Sequence, residues 1–173
     1  QLYIVMKIAK IFLYCFLFGA ILFFSACESQ LQSIAGEYSF KISGQIVKDA
    51  TEKISLPDEM GAMEIIHVSD STFLLTFNTI NGSAYTTQAV LSNNQLELRP
   101  FLRTITLTYT KQDSDFWGEF IEITETEYYN TEVYGYGTIY DKTIEFKLQY
   151  LGEELTSSKK ITGNNILMLA KKS

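Results

Sequence analysis

The chain has 173 residues, 46% of them hydrophobic, and a formal net charge of −6 with a single histidine and two cysteines. An acidic chain of this kind has no electrostatic footprint for nucleic acid, and one histidine cannot supply the several nitrogen or sulfur ligands of a zinc centre. Without a cysteine beyond residue 27, the part that folds has no disulfide and must rely on burial alone.

Lys7 and Lys10 open the chain's one long apolar run, in which Ile11–Ala26 carries no charge and ends on the small residues Ser25 and Ala26 before Cys27. A basic stretch, an apolar stretch and small residues form the layout of a secretion signal. The uncharged run is about 16 residues, short of the roughly 20 needed to span a bilayer as a helix. Met6 is read as the start, which sets Gln1–Val5 outside the fold. The cysteine just after the small residues resembles the lipobox of bacterial lipoproteins. That resemblance implies cleavage before Cys27, acylation of Cys27 and a lipid anchor. With Glu28 rather than aspartate next in line, it points to the outer membrane of a Gram-negative cell envelope. The expected division is a helical signal over 1–26, the lipidated cysteine with a short polar spacer over 27–35, and one domain over 36–173. Loss of Lys7 and Lys10 with the signal takes the net charge to −8, so surface attraction to an anionic bilayer is excluded and the tether has to hold the protein there. Several acyl chains together give stable anchoring where one does not.

Beyond residue 35 the dominant signal is period-two alternation, the mark of half-buried strands. Tyr38, Phe40 and Ile42 alternate with Ser39, Lys41 and Ser43; Phe73, Leu75 and Phe77 form a second set; Leu96 and Leu98 flank Glu97. Ile105, Leu107 and Tyr109 alternate with threonines, and Ile144, Phe146, Leu148 and Tyr150 with Glu145, Lys147 and Gln149. Strands are expected near 36–46, 62–69, 72–80, 83–91, 95–99, 101–111, 116–124, 131–140, 143–151 and 165–171, with 48–60 as a loop. Asn81-Gly82 predicts a type I′ hairpin turn. Ser69-Asp70-Ser71, Ser92-Asn93-Asn94, Asp113-Ser114-Asp115, Asp141-Lys142 and Gly163-Asn164-Asn165 are further turn clusters. Gly135 and Gly137 predict a bend.

Some ten short strands in sequence order make an antiparallel meander. An open meander leaves two exposed edges, and closure removes them, so the expected fold is an all-β, antiparallel up-and-down β-barrel. Lys41, Glu97, Glu145 and Lys147 lie opposite the apolar stripes, which predicts an apolar inside and a wet outside rather than the lipid-facing band of a membrane barrel. Gly36-Glu37-Tyr38 resembles the Gly-x-Trp opening of the first lipocalin strand, with tyrosine in place of tryptophan. With DSTFLLTFNTINGSAYTT at 70–87 and GNNILMLAKKS at 163–173, the layout resembles the lipocalin-like lipoproteins of Bacteroides-type bacteria. The resemblance implies a calyx with room for a small apolar ligand and no shared activity. The stripes ending in Tyr109 and Phe146 are then the lumen-facing candidates. A narrow barrel fills its interior with side chains and a wider one leaves a cavity; the sequence leaves both open.

Catalytic chemistry has little to work with. His67 sits on the strand face of Met63 and Ile65, and no Gly-x-Ser-x-Gly elbow is present. Glu119, Glu122, Glu125, Glu127 and Glu132 lack the spacing of a calcium loop and are expected to form a solvated strand face. Trp117 sits at a strand start, and Tyr128, Tyr129, Tyr134, Tyr136 and Tyr140 cluster around Gly135 and Gly137; they read first as strand formers that keep their hydroxyls wet, and otherwise as an exposed interaction face. The expected function is that of a non-enzymatic envelope lipoprotein without cofactor or metal. It either holds a small apolar ligand or serves as a protein-interaction or inhibitor module.

Overall fold

The computed structural model describes residues 33–114 and 120–173. The signal, Cys15, Cys27 and Trp117 lie outside the described residues, as does the start of the strand expected at 116. The described part consists of ten strands: β1 (Gly36–Ser43), β2 (Gln45–Lys48), β3 (Glu52–Ser55), β4 (Glu59–Ser69), β5 (Thr72–Thr79), β6 (Ala84–Ser92), β7 (Gln95–Ser114), β8 (Phe120–Tyr140), β9 (Thr143–Glu154) and β10 (Lys160–Lys172). Eight of them close a barrel in the order β1-β4-β5-β6-β7-β8-β9-β10, with β10 pairing back onto β1. Every pairing is antiparallel, and the closing seam runs from Tyr38↔Lys172 to Ser43↔Leu167. An all-β, antiparallel up-and-down barrel is therefore the fold.

The stretch 48–60, expected as a loop, instead contains β3 and the first residues of β4. After Gly44, β2 continues the line of β1 along β10, through Val47↔Thr162 and Lys48↔Ile161. It turns back at Asp49 and Ala50, both at positive φ, and pairs with β3. Partners on both sides of β2 hold a segment whose own residues give a weak strand signal. The expected strands at 95–99 and 101–111 are one strand, bent by a bulge between Leu98 and Phe101 that accommodates Pro100. The bulge lies opposite Gly135 at φ +155, where a Cβ would stand 2.2 Å from the Lys147 carbonyl oxygen. The type I′ expectation at Asn81-Gly82 is also corrected. Only Gly82 of that pair has positive φ, and the Gly82 N–H donates to the Thr79 carbonyl, the geometry of a three-residue loop closed by a left-handed glycine. Asn93-Asn94, between β6 and β7, is a two-residue hairpin turn with both residues at positive φ.

Alternation decides what is buried. Tyr38, Phe40, Ile42, Phe73, Leu75, Phe77, Leu96, Leu98, Ile105, Leu107, Ile144, Phe146, Leu148 and Tyr150 all join one core. The outward positions carry Lys41, Glu64, Glu97, Glu132 and Lys147, all exposed, so charges interrupt the described outer face. In the interior, Phe77, Leu98, Phe101, Val133 and Met168 close on one another and leave about 0 Å³ of room for a water molecule between them.

Candidate functional site

The barrel has two unlike ends. At one end lie Ile34, the Asn93-Asn94 turn and the Asp141-Lys142 turn. At the other, backbone pairing stops early. β6 pairs with β7 only from Ser92↔Gln95 to Ala89↔Leu98, and β9 pairs with β8 only as far as Glu154↔Tyr129. Beyond those limits β7 and β8 run on as a two-stranded ribbon to Ser114↔Phe120. Two clusters of polar side chains hold this ribbon end, and both are built from inward-facing positions.

The first cluster closes the β6–β7 seam above Leu98. The Thr87 hydroxyl donates to the Arg99 carbonyl at 2.7 Å. Tyr85 stacks on Phe77 at 4.7 Å and on Phe101 at 5.3 Å. The Arg103 guanidinium lies 4.7 Å above the Tyr85 ring and pairs with Glu59 at 2.5 Å. Its Nη1 also donates to the Tyr85 hydroxyl at 3.2 Å. Burial pushes the Tyr85 hydroxyl well above the ordinary tyrosine range and that of Tyr150 up to about 12, so both remain protonated donors at neutral pH. Arg103 Nε is buried without a hydrogen-bond partner, while its terminal nitrogens are engaged by Glu59 and Tyr85. An opening of about 140 Å³ lies above this cluster, bordered by Pro57, Glu59, Ser83, Arg103, Thr106 and Tyr150.

The second cluster centres on Glu127, which is only 5% exposed. Its carboxylate accepts from Lys48 Nζ at 2.7–2.8 Å and from Lys159 Nζ at 2.5 Å. It also accepts from the hydroxyls of Tyr109 and Tyr129, each at 2.7 Å. Burial alone would raise its pKa; the hydrogen bonds from Lys159, Lys48, Tyr109 and Tyr129 outweigh burial and hold it at about 2. Burial likewise opposes the charge on Lys48, and the bonds to Glu127 and Tyr109 reverse that and raise its pKa. A carboxylate whose two oxygens already accept from four donors has no lone pair left for a metal or a substrate proton. Glu127 is a clamp that joins β2, β7, β8 and the β9–β10 loop. The expectation that the acidic segment forms a solvated face is thus corrected at Glu127. Glu119 lies outside the described residues, and Glu122 and Glu132 are exposed as expected.

Tyr109 and Phe146, the two lumen-facing candidates, are not brought together. Phe146 is fully buried, with its ring over Gly137, where a Cβ would stand 2.5 Å from it. Tyr109 is at the ribbon end, under Lys48 at 4.6 Å. His67 is exposed at the end of β4; its Nε2 lies 2.9 Å from the Asp70 carbonyl and its ring tilts against Phe73. The tyrosine cluster divides by face, with Tyr129 buried in the clamp and Tyr128, Tyr136 and Tyr140 exposed on the outside of β8. Among the described residues, no three of His, Cys, Asp and Glu are grouped so as to hold a metal ion. Glu59, Arg103 and Lys48 were not singled out by sequence. The available signal was parity, since each lies in phase with buried neighbours on its strand.

No protein-family model matches the chain, and no curated protein matches it. Among solved structures, a redesigned β-barrel is similar at 10% sequence identity and a TM-score of 0.37, over 83% of this chain and 95% of that one.

Proposed function

We propose that this chain is a cell-envelope lipoprotein, anchored through an acylated Cys27, whose barrel is a non-enzymatic interaction module rather than a carrier. The filled barrel axis carries this reading. A site for an apolar ligand is typically a cavity of several hundred Å³, whereas the space among the core side chains here is about 0 Å³. The opening at the ribbon end is about 140 Å³ and bordered largely by polar groups. Kinship with lipocalin-like lipoproteins belongs to the same proposal and draws support from the closed antiparallel order of the strands. The small apolar ligand that this kinship implies has no room along the axis.

The carrier alternative is tested by native mass spectrometry of the purified chain. Repeated recovery of a bound small molecule overturns the module reading, and bare protein supports it. The anchor is tested separately by Cys27→Ser, which is expected to move the protein out of the membrane fraction. Retention there would overturn the lipobox assignment.

A further inference from the structure

The β7–β8 ribbon has two free edges, and they are not alike. On the β8 side, Glu122 and Glu125 place charges along the strand, one of the devices by which proteins keep an edge from pairing with other chains. On the β7 side, Thr104–Thr110 (TITLTYT) has no charge, no proline and no glycine. Thr104, Thr106, Thr108 and Thr110 are exposed on one face, with Ile105 and Leu107 buried on the other. Beyond Leu98, no described strand other than β8 pairs with β7. An uncharged edge of strong strand formers on a ribbon whose other edge is guarded is a template for strand addition.

We infer that this edge pairs antiparallel with the same edge of a second copy of the chain, about a two-fold axis at Thr108. A self-pairing interface must match its own residues, and this register does so. Thr106 faces Thr110, Leu107 faces Tyr109, Ile105 faces Lys111 and Thr104 faces Gln112, with no like charges opposed. It also sets Leu102 in the row of the second copy's Ser114 and Phe120. Leu102 is 65% exposed and Phe120 83% exposed, and both lie on the outward face; the serine between them leaves the ring room to reach the leucine. Antiparallel pairing reverses the two barrels, so their Ile34 ends point in opposite directions. With Cys27 acylated as proposed above, the pair bridges two facing membranes. The pairing itself does not depend on the anchor.

The test uses the full chain carrying Thr108→Cys or Thr104→Cys, both at exposed positions, under a mild oxidant, with the unsubstituted chain setting the background from Cys15 and Cys27. Residues facing each other across an antiparallel pair have Cα atoms about 4.5–5.5 Å apart, within disulfide reach, so Thr108→Cys is expected to shift to a reducible band of doubled mass. The two thiols introduced by Thr104→Cys would stand ~26 Å apart along the strands, and that variant is expected to stay at background. Thr108→Lys and Thr108→Glu each place like charges on the axis; each alone is expected to sediment as a monomer, with association restored on mixing. Equal cross-linking of the two cysteine variants, or none in either, overturns the proposal. Adding Cys27→Ser to the Thr108→Cys chain separates the two readings: cross-linking that persists after release from the membrane supports pairing on its own, and its loss overturns pairing in solution.

Discussion

The body of the barrel and its ribbon end are held together by different physics. In the body, each strand of the ring has partners on both sides and inward positions are apolar, as along β9 from Ile144 to Tyr150. At the ribbon end the backbone ladder stops, and the inward positions become Lys48, Glu59, Arg103 and Glu127, bound to one another and to tyrosines. Packing in the body is non-directional and tolerates rearrangement. The ribbon end depends on a few charged groups whose partners must all be present, because a buried charge left unpaired is strongly destabilising. The difference separates a body that supplies stability from an end that supplies geometry, holding an exposed strand edge and an exposed Phe120 clear of the core.

Body and ribbon end are expected to respond differently to substitution and to acid. Phe146→Ala removes a fully buried ring and is expected to lower global stability by about 4 kcal/mol, measured by chemical denaturation, with body and ribbon lost together. Glu127→Gln leaves Lys48 and Lys159 without their carboxylate and is expected to cost about 3 kcal/mol. Hydrogen exchange should localise that loss to 46–48 and 104–110; a uniform loss over every strand would erase the distinction between the two regions. Gly137→Ala presses a Cβ against the Phe146 ring and is expected to cost about 2 kcal/mol, read as a lower denaturation midpoint. Acid acts on the same clamp. Glu127 is held at about 2, against an ordinary value of 4.5, so the unfolded chain takes up its proton first. The stabilisation is complete above about pH 4.5 and is lost as the pH falls toward 2. Exchange at Leu107 should therefore quicken over that interval before exchange at Leu148 does, and simultaneous onset would count against the clamp.

The body was largely legible in the sequence because a single rule, alternation, decides it. Ile144, Phe146, Leu148 and Tyr150 face inward because a strand of period two leaves them no other face. The ribbon end was harder because its information is distributed across strands. Glu127 looks like one of several surface glutamates until its phase with Tyr129 and Val133 is followed, and Lys48 belongs to a segment that becomes a strand only through pairing with β10. Pro100 reads as a break and instead sits at a bulge within one continuous strand. Asn81-Gly82 has the composition of one turn and adopts another, since the dipeptide alone does not set loop length. The free edge of β7 is written in TITLTYT, but only the topology shows that no described strand pairs with that edge.

The closing seam has a kinetic consequence. Tyr38 pairs with Lys172, so the two strands that seal the ring come from opposite ends of the folded chain, and this contact carries nearly the largest loop-closure entropy available to it. The neighbouring hairpins are local and can form early, whereas ring closure has to wait for β10, which makes for slow folding of high contact order. A chain leaving the ribosome therefore cannot close its ring before its last strand emerges.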